Sequence, residues 1–253
     1  MPAKSDYADM RNIKAIVEYD GTDYFGFQRQ PRRRTIQGEL ERALTQVMKE
    51  PIRLIGAGRT DTGVHARGQV ISFKTECGIP IDKVCVALNS VLSRDIVLTN
   101  AEEVEPGFHA RYSARQRTYE YSILNAGRPS ALMGRFSWHV PEKLNLAAMR
   151  KAAAYLVGTH DFAAFSLSSR DSENTVRTVS KLEIRRCSAI IIFTLTANGF
   201  LHSMVRGIVG TLVEAGQGRR KPEDLKTILE GKDRGRAGKT APARGLCLTE
   251  VTY

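Results

Sequence analysis

One short stretch, GAGRTDTGVHARGQ, combines four glycines with charged residues and runs from Gly56 to Gln69. Glycine-rich loops commonly cradle phosphates, but a dinucleotide-binding fingerprint needs a third glycine where this stretch has Asp61. A negative charge there would repel a pyrophosphate. The only P-loop-like run, from Gly238 to Thr240, has Asp233 in place of the first glycine. The sequence therefore predicts no nucleotide cofactor.

Asp61 has two interpretations. An aspartate in a turn often accepts a hydrogen bond from its own backbone, which is a purely structural role. Arg59 and Arg67 lie close in sequence, however, and could keep the carboxylate ionised. An ionised carboxylate repels phosphate, so within a basic nucleic-acid site it is better suited to chemistry than to binding. We therefore predict that Asp61 is catalytic.

An excess of positive charge indicates a polyanionic partner. The 253 residues include 38 Lys and Arg against 27 Asp and Glu, which gives a net charge of +11. A merely basic surface is the plain alternative, but the cations gather in loops, where phosphate contacts are expected. One such loop contains Arg29, Arg32, Arg33 and Arg34, and two others cover 218–221 and 232–239. These loops favour binding to a nucleic acid.

Several classes of protein are disfavoured by composition. No apolar run approaches the roughly 18 residues of a membrane span, and residues 1–12 lack the apolar core of a secretory signal. The five histidines are dispersed without metal-ligand spacing, so we predict no metal. No C-x-x-C pair occurs, which indicates reduced thiols in a cytoplasmic protein. The four cysteines are Cys77, Cys85, Cys187 and Cys247.

The elements that must position Asp61 follow from hydrophobic periodicity. In the first half, strands are predicted at 13–20, 52–57, 68–75 and 96–104, and helices at 36–49, with Thr35 as N-cap, and 81–92. The loop of Asp61 thus joins two strands. The second half repeats this order. Its strands are predicted at 117–124, 178–186, 189–197 and 246–252, and its helices at 146–157, with Gly158 as C-cap, 200–215, and 222–230, with Pro222 in the first turn.

Two copies of a β-α-β-β-α-β unit predict an α+β protein of two ferredoxin-like (RRM-like) domains with antiparallel sheets side by side. The predicted boundary falls at Glu105-Pro106-Gly107, which gives an N-terminal domain at 1–105 with the Asp61 loop and a C-terminal domain at 106–253. A cleft between two domains is a common binding site. We expect a basic active-site cleft there, completed by the second domain.

The stretch GAGRTDTGVHARGQV resembles the catalytic loop of the TruA family of tRNA pseudouridine synthases. Other segments resemble the family in order, namely VEYDGTDYFGFQRQ, FHARYSARQRTYEYSI, VGTHDFAAFS, NGFLHSMVRGIVGTLVEAG and APARGLCLTEV. The resemblance covers nearly the whole chain. It implies an enzyme that isomerises uridine to pseudouridine at positions 38, 39 and/or 40 of tRNA, on the 3′ side of the anticodon stem-loop. It also implies that no cofactor is used and that a homodimer grips each tRNA with both chains.

The resemblance also implies roles for four residues. Asp61 occupies the position of the family's invariant aspartate, which acts as nucleophile or base on the target nucleoside. Tyr119 matches the tyrosine that stacks on the flipped uracil, and Arg206 matches the arginine that pairs with the aspartate. Arg59 matches the residue that probes the tRNA and helps hold the flipped base outside the stem.

Arg206 has support from the residues themselves. It lies on the flank of a strongly apolar helix stripe, where an arginine should have a partner, unless its side chain extends to solvent. Further tRNA contacts are predicted for Arg29, Arg32, Arg33, Arg34, Arg67 and His202.

Two other functions remain as alternatives. A non-catalytic RNA-binding or RNA-chaperone protein on the same fold would explain the charge, but it would leave the Arg59-Thr60-Asp61 loop unexplained, and no RNP-like motif is present. A glycosidase with an aspartate nucleophile would need a second carboxylate as acid. The residues around Asp61 are basic, which disfavours that chemistry.

Overall fold

The computed structural model describes residues 10–167 and 174–253, and the chain forms two compact units. The first unit contains the residues up to Ala114 together with Tyr253, and the second contains Arg115–Thr252. Both units combine helices with a sheet. No helix in the described ranges is long and apolar enough to cross a membrane.

The first unit has the predicted order of elements. These are β1 (Arg11–Tyr19), α1 (Ile36–Met48), β2 (Leu54–Gly56), β3 (His65–Thr75), α2 (Ile81–Asn89) and β4 (Ile96–Val104). Its strands lie in the order β4-β1-β3-β2, and all neighbours are antiparallel. The alternating residues Ile13, Ala15 and Val17 of β1 are buried, as period-two patterning requires. The predicted N-cap is confirmed, because the Thr35 side chain accepts a hydrogen bond from Gly38 N.

The second unit has more elements than the sequence predicts. They are β5 (Gln116–Leu124), β6 (Trp138–His139), α3 (Leu146–Ala154), β7 (Gly158–Asp161), β8 (Val176–Cys187), β9 (Ile190–Ala197), α4 (Met204–Gly216), α5 (Asp224–Gly231) and β10 (Leu246–Thr252). The sheet order is β10-β5-β9-β8-β7 with antiparallel neighbours, and β6 pairs with β5 in parallel. The short strands β6 and β7 were not predicted, because two to four residues carry too little periodicity.

Four predicted helix ends are wrong, and one of them belongs to α2, which ends at Asn89 rather than at residue 92. Gly158 does not cap α3, which ends at Ala154; the glycine opens β7 instead, with a φ of +117°. The helix predicted from residue 200 begins at Met204, because Ser203 has a left-handed φ of +60° that a continuous helix cannot contain. Pro222 lies before α5 rather than in its first turn, since that helix starts at Asp224.

The segment after β4 packs on the first unit, although the sequence predicts the boundary at residue 105. Asn12 Nδ2 donates to the carbonyls of Glu105 at 2.9 Å and Phe108 at 3.0 Å. Ala110 N donates to Ser72 Oγ at 3.1 Å. These bonds tie the segment to β1 and β3, so the two units divide at Ala114 and Arg115 instead.

Candidate active site

The Asp61 loop, residues 57–64, joins β2 to β3 in the first unit, as predicted. Its last four residues form a turn in which Val64 N donates to the Asp61 carbonyl at 3.1 Å, and Gly63 has a φ of +77°. A positive φ at that position favours glycine. Because the backbone carbonyl closes this turn, the turn does not require the Asp61 carboxylate. The side chain can therefore serve another role, and the residue is half-buried.

Buried hydrogen bonds fix the loop immediately before Asp61. The Gln69 carboxamide donates from Nε2 to the Gly58 carbonyl at 2.9 Å, and its Oε1 accepts from Gly58 N at 3.3 Å. One residue beyond Arg59, the Thr60 hydroxyl is hydrogen-bonded to the Tyr19 hydroxyl at 2.8 Å. Gln69, Tyr19 and Thr60 are all buried. The backbone is thus held on both sides of exposed Arg59.

The segment between β1 and α1 packs directly against the Asp61 loop. Phe27 N donates to the Thr60 carbonyl at 3.0 Å. A Cβ on Gly26 would lie 2.8 Å from that same carbonyl oxygen, and one on Gly21 would lie 2.0 Å from the Val64 oxygen. Both distances are too short for any side chain, so glycine is required at both positions. The segment between β1 and α1, which belongs to the same unit, therefore packs closely against the Asp61 loop and supports it.

Tyr119 lies on β5 in the second unit, between Leu248 of β10 and Leu195 of β9. It is 7% exposed, and its ring meets Phe200 edge-on with 5.1 Å between centroids. Tyr121, on the same strand face, is fully buried and donates to the Pro242 carbonyl at 2.8 Å. Burial raises the pKa of Tyr121 far above its usual range, even though nearby arginines lower it. Tyr121 is therefore a structural tyrosine.

Arg206 lies in the first turns of α4 and is half-buried. Its Nε donates to the Ala241 carbonyl at 2.8 Å, and Ala241 N donates back to the Arg206 carbonyl at 3.0 Å. The prediction that this arginine has a partner is confirmed. The reciprocal pair restricts the orientation of the guanidinium, because Nε donates to a residue whose own backbone N–H is hydrogen-bonded to the helix.

The loop that carries Ala241 is anchored to α4 in turn. Thr211 Oγ1 accepts from Gly238 N at 2.9 Å, and Arg234 donates to the Gly238 carbonyl at 3.1 Å and to Thr240 Oγ1 at 2.7 Å. Arg234 Nε is buried without a partner. A Cβ on Gly210 would lie 1.7 Å from the Lys239 carbonyl oxygen, so α4 must have glycine there.

The predicted site residues divide between the two units. Asp61 and Arg59 belong to the first unit, whereas Tyr119 and Arg206 belong to the second. Arg67 and the exposed His202 divide in the same way. The pairing of Asp61 with Arg206 joins one residue from each unit, and it stays a prediction. Within the described residues, no group of three or more His, Cys, Asp or Glu side chains is arranged to hold a metal ion.

A family model described as tRNA pseudouridine synthase matches residues 15–113 and 152–253. The tRNA pseudouridine synthase A of Acetivibrio thermocellus is 47% identical over 244 residues, which are 96% of this chain and 100% of that protein. The protein of the same name from Thermoanaerobacter sp. (strain X514) is 49% identical, with the same coverage. This chain belongs to the tRNA pseudouridine synthase family. Among solved structures, an archaeal box H/ACA sRNP Nop10-Cbf5 complex aligns with a TM-score of 0.36 at 10% identity, over 94% of this chain and 48% of that chain.

The loop between β1 and α1, which we call the basic loop, contains four arginines with different surroundings: Arg29, Arg32, Arg33 and Arg34. The Arg34 guanidinium lies 3.6 Å from Asp95 and 3.7 Å from Glu39, and it stacks over the Tyr24 ring at 4.4 Å. Arg29 lies 3.4 Å from Glu41. All four arginines are exposed, and the Arg33 guanidinium lies 4.4 Å from the Phe25 ring centroid. Carboxylates therefore offset the charge of Arg29 and Arg34, which weakens the case for those two as phosphate contacts.

Sequence reasoning missed the residues that support the site. Gln69 and His65 lie within the quoted motif, but no role was predicted for either. Gln69 binds Gly58, and His65 Nδ1 accepts from Gly21 N at 3.1 Å and lies 3.1 Å from Asp20 Oδ1. A signal was present, because both are polar residues on a strand with apolar neighbours, and a polar group that is buried there needs a partner. Their partners could not be read from spacing.

Proposed function

We propose that this protein isomerises uridine to pseudouridine in tRNA, with Asp61 as the catalytic carboxylate. Membership of the synthase family supports the reaction. The observation that carries the assignment of Asp61 is its loop, whose backbone is held by buried hydrogen bonds at Gly58 and Thr60, directly before the carboxylate. Preorganisation of this kind is what a catalytic side chain requires.

The reaction balances without a cofactor. The bond between N1 of uracil and C1′ of the ribose breaks, the base rotates, and C5 forms a new bond to the same C1′. The proton lost from C5 is matched by a proton gained at N1. An ionised carboxylate can act as nucleophile on the nucleoside or as base, and both roles for Asp61 remain open.

Three other side chains complete the proposed site. Arg206 would pair with Asp61, and its Nε bond to Ala241 supports this by restricting the orientation of the guanidinium. Tyr119 would present its ring to the uracil. Arg59, exposed between two held residues, is well placed to probe a helix and keep the extruded base out. Flipping a base from a stem costs a few kcal/mol, which such contacts must offset.

We propose the 3′ side of the anticodon stem-loop as the target and Arg32, Arg33, Arg67 and His202 as tRNA contacts, with weaker contributions from Arg29 and Arg34. The net charge of +11 supports a polyanionic substrate. We also propose two ferredoxin-like domains with the active-site cleft between them. The strand order of the first unit is β4-β1-β3-β2, and the second unit has the corresponding order β10-β5-β9-β8. A cytoplasmic homodimer follows from the resemblance alone.

The test uses purified protein, unmodified tRNA transcript and no added cofactor. After incubation, pseudouridine is mapped by carbodiimide labelling and primer extension, with Asp61→Ala and the isosteric Asp61→Asn alongside. We expect stops in the anticodon stem-loop with wild type only, and similar tRNA binding by all three proteins. Stops from either variant would remove Asp61 from the chemistry. Tight binding without stops from wild type would leave a non-catalytic RNA-binding protein.

A further inference from the structure

Tyr112 is a large aromatic residue that the first unit leaves 78% exposed. It follows β4 in the segment 105–114, to which the proposed reaction assigns no role. Its ring lies 4.3 Å from the His109 ring, with 30° between the planes. The Arg111 guanidinium lies 5.7 Å from the Tyr112 ring centroid, within cation–π distance. Tyr112 and Arg111 are exposed and His109 is half-buried, and we call these three side chains the Tyr112 stack.

The backbone under the Tyr112 stack is rigid. The Nδ1 atom of His109 accepts from the backbone N of Arg111 and of Tyr112, both at 3.2 Å. Ser113 N donates to the His109 carbonyl at 2.9 Å, and His109 N donates to Ser113 Oγ at 3.1 Å. Because Nδ1 is the acceptor, the neutral imidazole carries its proton on Nε2.

Buried contacts anchor this turn to its unit. Ala110, at its centre, is fully buried. Its N–H donates to Ser72 Oγ at 3.1 Å, and its carbonyl accepts from the Tyr253 hydroxyl at 2.8 Å. The exposed Tyr112 therefore lies on a turn that is anchored to its unit by hydrogen bonds. A rigid aromatic that loses little conformational entropy on contact is typical of recognition sites.

We propose that the Tyr112 stack is a platform for an unpaired base of the bound RNA, a subsite separate from the reacting uridine. Proteins that bind single-stranded RNA stack bases on aromatic rings and on arginine guanidinium planes, and this stack contains both. Arg111 and the exposed Arg115 supply cations nearby in the sequence for the phosphates. The inference rests on the proposed function for the identity of the RNA, which is tRNA.

A second copy of this chain is the competing occupant of the surface. The charge favours RNA, because a symmetric contact at the stack would bring Arg111 close to its own copy on a protein with a net charge of +11. Like charges at an interface oppose association. A tRNA loop instead supplies both unpaired bases and negative charge.

The experiment measures RNA affinity by fluorescence anisotropy at several salt concentrations. The probes are a labelled unmodified tRNA transcript and a blunt RNA duplex, and the proteins are wild type, Tyr112→Ala, Tyr112→Phe and Arg111→Gln. Leu132→Ala is the matched control, because Leu132 is 87% exposed and has no ring. Melting temperatures and light scattering establish that each variant is folded and report its mass.

We expect Tyr112→Ala to weaken tRNA binding about tenfold or more at every salt concentration, with an unchanged salt slope, because stacking is not ionic. Tyr112→Phe retains the ring and should bind like wild type, as should Leu132→Ala. Arg111→Gln should lower the salt slope by about one. The duplex probe should not distinguish Tyr112→Ala from wild type.

Two results would overturn the proposal. One is wild-type tRNA affinity for a folded Tyr112→Ala protein. The other is a change in molecular mass with this substitution, which would assign the stack to self-association. The outcome is independent of the catalytic proposal, because a wild type that binds tRNA through Tyr112 but forms no pseudouridine would refute only the latter.

Discussion

The Gln69 side chain binds both backbone groups of Gly58, with Nε2 2.9 Å from the carbonyl oxygen and Oε1 3.3 Å from the amide nitrogen. Gln69 is fully buried on β3, whereas Gly58 lies three residues before Asp61. The carboxamide substitutes for a neighbouring strand at the point where the loop leaves the sheet. The geometry of the proposed catalytic carboxylate therefore depends on a residue that contacts no substrate in our proposal.

We predict that Gln69→Leu lowers kcat by about ten- to a hundredfold with little change in KM, because a small displacement of Asp61 affects the reaction more than tRNA binding. The loss of the Gln69 hydrogen bonds to Gly58 and to the Tyr19 hydroxyl should also reduce the free energy of unfolding by about 1–3 kcal/mol. Single-turnover kinetics at saturating protein and chemical denaturation measure the two effects.

Gln116→Leu is the matched control, since its hydrogen bond to Ser180 is exposed and should contribute little. Tyr19→Phe tests the support of the loop at Thr60, on the other side of Arg59, because it removes only the hydroxyl that is bonded to Thr60. An unchanged kcat in both Gln69→Leu and Tyr19→Phe would show that the Asp61 loop holds its geometry without them.

The basic loop should separate into binding and structural arginines. Arg32→Gln is expected to lower the slope of log affinity for tRNA against log salt by about one, with little change in stability because Arg32 is an exposed surface residue. Arg34→Gln should leave that slope nearly unchanged and reduce the free energy of unfolding by up to about 1 kcal/mol, because it loses Asp95 and the Tyr24 ring. Anisotropy titrations and denaturation curves measure both; equal salt slopes for the two variants would contradict this division.

Much of the fold could be predicted because its elements are periodic. Strands β4 and β10 match their predicted bounds, at 96–104 and 246–252. The order of elements in the first unit is also confirmed. The start of α4 was wrong because the apolar stripe extends to Leu201 although Ser203 adopts a left-handed φ. Periodicity reports which side chains are buried, and it does not report where the backbone leaves the helix.

The candidate site was predictable only for the residues with unusual chemistry. A carboxylate among cations indicates Asp61 as a candidate, and an arginine beside an apolar stripe indicates Arg206; the catalytic roles of both stay predictions. The supporting partners are far away in sequence, as with Gln69 and Gly58 or Arg206 and Ala241. Several of those bonds involve backbone atoms, which every residue has. No pattern in the sequence can therefore indicate them.

The contact between α4 and the loop of Ala241 should tolerate no side chain at Gly210. A Cβ there would lie 1.7 Å from the Lys239 carbonyl oxygen, which is backbone and cannot move aside cheaply. We expect Gly210→Ala to lower the free energy of unfolding by about 2 kcal/mol or more, because overpacking typically costs about 1–3 kcal/mol and this contact is with backbone.

Gly78→Ala is the control for Gly210→Ala, because nothing lies within 4 Å of its Cβ position. This change should be neutral or stabilise by up to about 1 kcal/mol through the unfolded state. Denaturation midpoints of the two variants provide the comparison. Similar midpoints would mean that the loop of Ala241 packs less closely on α4 than the structure shows.

The ion pair of Asp161 with Lys232 should make the stability of the second unit depend on pH. The atoms Asp161 Oδ2 and Lys232 Nζ lie 2.8 Å apart. Burial acts to raise the pKa of Asp161, but hydrogen bonds from Lys232, Thr175 and the Ala163 backbone outweigh it and lower that pKa. A carboxyl whose folded pKa is depressed stabilises the fold above its unfolded pKa of about 3.9, and this stabilisation is lost as the pH falls through the folded value.

Asp161→Asn should therefore be less stable than wild type at pH 6, and the difference should shrink as the pH falls below about 4. Urea denaturation of both proteins at several pH values between about 6 and 3 measures the difference in unfolding free energy. Glu183→Gln is the control, because its pair with Lys181 is exposed on both sides and solvent screens it. A difference between wild type and Asp161→Asn that stayed constant down to pH 3 would show that Asp161 acts through packing rather than through its charge.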